Sequence, residues 1–132
     1  MTLKVAHVVR QYLPSVGGME EVVRNVAARQ REVPGHEPRV ITLDRLFRQR
    51  GGGGRLPASD EIEGVAVRRL PFWGSSRYPL CPGVLRALGD ADIVHVHGVD
   101  FFHDFLAVTR PLHRRPLVLS THGGFFHTRF AR

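Results

Sequence analysis

Pro14-Ser15-Val16-Gly17-Gly18-Met19-Glu20-Glu21 joins a short apolar run to an amphipathic helical pattern. Two adjacent glycines let the backbone turn tightly and approach a ligand with no Cβ in the way. The helix that follows directs its first free N–H groups, and the positive end of its dipole, back at the turn. Such a place suits an anion, most often a phosphate. The pair lacks the full spacing of the dinucleotide fingerprint and of the P-loop. Taken alone it is a turn, with phosphate contact as the open alternative.

Upstream, Leu3-Lys4-Val5-Ala6-His7-Val8-Val9 is mostly apolar and rich in β-branched residues, as a strand buried on both faces of a parallel sheet is. Downstream, Val22, Val23, Val26, Ala27 and Val33 recur at helical spacing over Met19 to Val33. Glu20 and Glu21 suit the first turn, and Pro34-Gly35 ends the helix. Arg39-Val40-Ile41-Thr42-Leu43 is a second strand, which completes a βαβ unit. Asp44 to Gly64, with its run Gly51 to Gly54, reads as a flexible excursion. A third strand, Val65 to Leu70, leads into Phe72 and Trp73, for which core packing is expected. Pro82 to Leu88 is a short helix candidate, and Asp92 to Gly98 a fourth strand. Asp100 caps a helix carrying Phe101, Phe102, Phe105, Leu106 and Val108, and Leu117 to Ser120 is a fifth strand.

This alternation predicts one α/β domain with a Rossmann-like, doubly wound parallel sheet of order 3-2-1-4-5. With 132 residues, 42% hydrophobic and 23% charged, the chain has the composition of a globular domain. The formal charge of +7 comes almost wholly from scattered arginines. It favours an anionic partner, whether nucleic acid, membrane surface or phosphorylated small molecule, but no nucleic-acid motif accompanies it. The basic stretch Arg45 to Arg50 is expected to be a solvated loop, with contact to anionic lipid as the alternative. One cysteine, Cys81, excludes an internal disulfide and fits a reducing compartment. The N-terminal run is neither a signal peptide nor a membrane span, which makes a cytoplasmic location the expectation.

In a doubly wound sheet the first and fourth strands are neighbours, and ligands bind outside their C-terminal ends. Gly17-Gly18, His97-Gly98 and Thr121-His122-Gly123-Gly124 all follow strands at that edge, facing one crevice. His95 and His97 share a strand face, and His122 would complete three nitrogens for zinc. No carboxylate- or cysteine-bearing spacing accompanies them, so packed or hydrogen-bonded imidazoles are expected and no metal is assigned. His122 suits hydrogen bonding to a substrate hydroxyl or phosphate. Its alternative is to hold the turn.

The segments 14–20, 34–42, 92–98 and 120–124 resemble, in order, the N-terminal domain of retaining GT-B glycosyltransferases of the family 4 type. The likeness covers nearly the whole chain. His97 to Phe102 followed by Thr121 to Thr128 is similar to mannosyltransferases that extend polyprenyl-diphosphate-linked oligosaccharides for exopolysaccharide assembly, using GDP-mannose. The resemblance implies sugar transfer from a nucleotide diphosphate sugar to a lipid-linked or other glycan acceptor, with retention, no cofactor and no obligatory metal. It places Gly17 and Gly18 against the donor diphosphate and the catalytic His122 near the transferring sugar, with His97, Gly98, Gly123 and Gly124 lining the cleft. Phe72, Trp73 and the basic loop after Asp44 would meet the lipid-linked acceptor, in peripheral contact with the membrane.

Members of that family carry a second, donor-binding domain that this sequence lacks. The expectation is therefore an incomplete acceptor-side domain, inactive alone or completed by a separate C-terminal chain. A stand-alone module for nucleotides or anionic polymers, or a non-functional remnant, are the alternatives.

Overall fold

A computed structural model describes residues 2–15, 17–47 and 54–121. β1 (Leu3–Val9) forms the middle of the sheet, paired in parallel with β2 (His36–Leu43) on one side and β5 (Ile93–His97) on the other. β4 (Val65–Leu70) adds to β2 and β6 (Leu117–Ser120) to β5, both in parallel. The five strands expected from the sequence therefore stand in the expected relative order.

The excursion expected between Asp44 and Gly64 departs from that reading, because it contains a sixth strand. β3 (Ser59–Ile62) runs antiparallel to β4 at the sheet edge, giving the order β3-β4-β2-β1-β5-β6. Its turn is Glu63-Gly64, with φ of 53° and 81°. Two positive φ angles in a two-residue hairpin loop are the signature of a type I′ turn. Arg24, from the helix alongside, grips the Glu63 carboxylate with two hydrogen bonds of 2.6 Å.

Helices cover both faces. α1 (Gly18–Glu32) buries Val23 and Ala27 over Val9, Val40, Val65 and Val67. On the other face α2 (Val84–Ala87) and α3 (Phe101–Val108) pack Val84, Phe102 and Leu106 against Val8, Ile41, Leu43 and Val96. Asp100 caps α3 as expected, accepting from the Phe102 N–H at 2.9 Å. α4 (Arg110–His113) continues from α3 and ends on Arg114 in the left-handed region. Phe72 packs against the core beneath α2 and α3, whereas Trp73 is 65% exposed, contrary to its expected burial. Its backbone pairs with Leu80 instead, which turns the side chain outward.

Two buried polar groups tie elements together. Arg69, only 3% exposed, donates to the Pro57 and Leu13 carbonyls and to Asp60 at 3.0–3.1 Å. It thereby holds the start of the Leu13 turn against the β3 edge. On the α1 face, His7 donates through Nε2 to Gln30 Oε1 at 2.6 Å. Its Nδ1 then carries the lone pair that faces His97 Nε2 at 3.0 Å. Burial is the main cause that pushes the His7 pKa below the ordinary imidazole range, opposed by the bond to Gln30.

Two consequences are measurable by urea unfolding. Arg69→Met leaves three acceptors without their donor and is expected to cost about 1–3 kcal/mol. A His7 that stays neutral when folded, yet takes a proton when unfolded, contributes stability above about pH 6.5 that is lost as pH falls below it. The expected slope there is at most about 1.4 kcal/mol per pH unit for this one group, and His7→Gln is expected to remove that share.

Candidate functional site

Parallel pairing sends β1, β5 and β6 out of the sheet at one edge, and the turns that follow them form a crevice. Residue by residue, β1 ends on Val9 and Arg10 leaves the sheet at once. Arg10 and Met19 line both of two adjoining hollows. The larger, about 360 Å³, also has Gln11, Ser15, Gly17, Gly18, Glu20 and Phe47 in its wall. The smaller, about 180 Å³, is completed by Gly98, Val99, Asp100 and Thr121.

The glycines are placed for different reasons. Gly98 has a φ of +96°, and a Cβ there would lie 3.0 Å from the Met19 methyl. Both conformation and space therefore ask for glycine. Gly17 is extended at the start of α1 and, having no side chain, supplies no capping acceptor of its own to the first N–H groups. A Cβ on Gly17 would lie 2.8 Å from Glu20 Oε1, because that carboxylate folds back to accept from Ser15 Oγ at 2.5 Å. Nothing approaches within 4 Å of a Cβ on Gly18.

Charge in the crevice centres on one pair. Arg10 Nε lies 3.5 Å from Asp100 Oδ2, and Nη1 donates to the Ser76 carbonyl at 3.2 Å. Desolvation raises the Asp100 pKa, with Arg10 the largest opposing influence. Beside this pair Gln11 clamps the chain after β2, donating to the Arg45 carbonyl and accepting from the Phe47 N–H, both at 2.9 Å. Arg45 in turn stacks over Phe72, its guanidinium carbon 4.5 Å from the ring centre.

His97 lies beneath the crevice rather than in either hollow, 1% exposed and stacked on His95 with ring centres 4.0 Å apart. His95 Nε2 bonds Ser120 Oγ at 2.6 Å. The third imidazole beside them is His7, whose ligating atoms and theirs all lie within 4.8 Å of one another. Three nitrogens so placed are chemically able to meet one cation, yet each of these rings already has hydrogen-bonding partners. His122, Gly123 and Gly124 lie outside the described residues, as does the end of the chain beyond Thr121.

Arg10 and Asp100 escaped the sequence reading as site residues. A charged residue directly after the last apolar residue of a central strand was the available signal. Cys81 offers no nucleophile: it is buried, and desolvation pushes its thiol up to about 11. The crevice thus supplies donors, a cation and an open glycine turn, which suit binding and positioning of an anion.

No helix among the described residues is long and apolar enough to cross a membrane. No solved structure matches the chain. Its sequence is 56% identical over 129 residues to a GDP-mannose:cellobiosyl-diphosphopolyprenol alpha-mannosyltransferase of Xanthomonas oryzae pv. oryzae (strain PXO99A), covering 98% of this chain and 33% of the relative. Enzymes of the same description from Komagataeibacter xylinus and Xanthomonas campestris are 53% and 50% identical, over 96% and 98% of this chain and 32% and 33% of their own lengths. The chain therefore spans about a third of the length of these relatives. The family described as Glycosyltransferase Family 4 matches residues 16–132, from the glycine turn onward, and the chain belongs to that family.

Proposed function

We propose that this chain is the N-terminal part of a retaining mannosyltransferase that moves mannose from GDP-mannose to a disaccharide carried on diphosphopolyprenol. The observation that carries this reading is identity of 50–56% across nearly the whole chain to three relatives with that printed activity. The crevice agrees with it chemically. Gly17 and Gly18 present a helix start with no side chain of their own in the way, which is where a donor diphosphate would approach.

His122 follows Thr121, which lines the smaller hollow, and it takes the role of positioning the transferring sugar and stabilising developing charge. Gly98, with Gly123 and Gly124, would form the walls around it, above the buried His97. The acceptor's lipid implies peripheral contact with a membrane, and Trp73 offers an exposed amphipathic ring for it. A second domain, whether in the same polypeptide or a separate one, would hold the nucleotide.

Joining this chain to the remaining length of the Xanthomonas campestris relative is expected to yield an enzyme that transfers mannose to cellobiosyl-diphosphopolyprenol. The 132-residue chain alone is expected to transfer none. In the joined enzyme His122→Ala should lower kcat by about 10²–10³-fold. A folded fusion with no transfer would remove the reading, and full activity of the His122→Ala fusion would remove the role given to His122.

A further inference from the structure

We propose that Arg10 is the residue that grips a diphosphate in this crevice, through the guanidinium it holds between the two hollows. The identity of the diphosphate's owner, nucleotide sugar or lipid carrier, rests on the glycosyltransferase reading; the binding itself does not.

Three observations place it there. Arg10 lines both hollows, so a group bound to it lies in reach of the glycine turn on one side and of Gly98 on the other. Its side chain is 35% exposed, open to an incoming ligand yet sheltered from full screening. Its guanidinium carbon lies 5.9 Å from the centre of the Phe47 ring, but its hydrogen bonding is incomplete. One guanidinium nitrogen donates to Ser76, the contact with Asp100 is a long 3.5 Å, and no bond from Nη2 occurs among the described residues. A guanidinium has five N–H donors in a fixed fork that fits two phosphate oxygens at once.

Asp100 explains how the guanidinium is kept in place before a ligand arrives. The carboxylate is committed through its other oxygen to the α3 cap, so it orients Arg10 without closing over it. The same carboxylate weakens anion binding by its own charge. Replacing it with asparagine, which caps a helix equally well, separates these two effects. Glu20 is the other carboxylate in the wall, and it is turned towards Ser15.

Isothermal titration of the 132-residue chain with inorganic pyrophosphate, GDP and geranyl diphosphate tests this directly. Arg10→Met is expected to weaken pyrophosphate binding by about tenfold or more, and Arg10→Lys to recover part of the loss. Asp100→Asn is expected to tighten it. A role confined to holding Ser76 and Asp100 together would lower the unfolding midpoint without this opposite response. Whichever of GDP and geranyl diphosphate binds more tightly than pyrophosphate identifies the owner. Equal affinity in wild type and Arg10→Met, no binding of any of the three by wild type, or no gain in Asp100→Asn would each overturn the proposal. A joined enzyme that transfers no mannose while Arg10-dependent binding persists would count against the reaction and leave the site standing.

Discussion

The position of β1 between two parallel neighbours governs the rest of the molecule. A strand hydrogen-bonded in parallel on both sides cannot be reached by hairpins, so each connection must cross a face of the sheet. Val8 and Val9 are fully buried, one under α2 and α3 and the other under α1, because those crossings cover both faces. Every parallel strand then leaves the sheet at the same edge. The crevice is the result: Arg10, Gly98 and Thr121 meet because each lies one residue beyond a strand in register with its neighbour.

Burial on both faces also restricts what may interrupt the strands. His7 and His97 are histidines in positions where valine would pack, and each imidazole needs partners. They find them in one another and in Gln30 from the covering helix. The arrangement couples the register of β1 and β5 to the placement of α1, which begins at the glycine turn. Arg69 does the same from the opposite edge, fastening the Leu13 turn to β3. The glycine turn is thus held at its entrance by a buried cation and at its helix by a buried imidazole.

Strands and helices were legible where hydrophobic period and turn chemistry agreed. The βαβ unit around Gly17-Gly18 shows both, as does the Asp100 cap. β3 was hidden because Ser59–Ile62 carries two acidic residues and no apolar alternation, and its turn uses Glu63 where asparagine or aspartate is the usual signal. It is held by pairing with β4 and by Arg69, while Arg24 meets its turn from 39 residues away in sequence. The misplacement of Trp73 has the same origin, since the bridge to Leu80 is a tertiary fact. At the site, the order of strands was enough to bring Gly17 and Gly18 to the same edge as Gly98. The imidazole beside His95 and His97 was less visible, because His7 joins them across a strand pair.

The dimensions of the crevice bear on how a ligand could be held in it. Ligand pockets generally bury 70–90% of a small molecule, while these hollows are about 180 and 360 Å³ and open along one side. A nucleotide sugar seated here would keep much of its surface in water. Arginine and backbone donors gain strength as water is excluded, so a second wall would raise the grip of Arg10 and of the helix start at the same moment that it covers the sugar. If the proposed reading holds, the part played by this crevice would be to orient the diphosphate, and a covering wall would turn orientation into tighter binding.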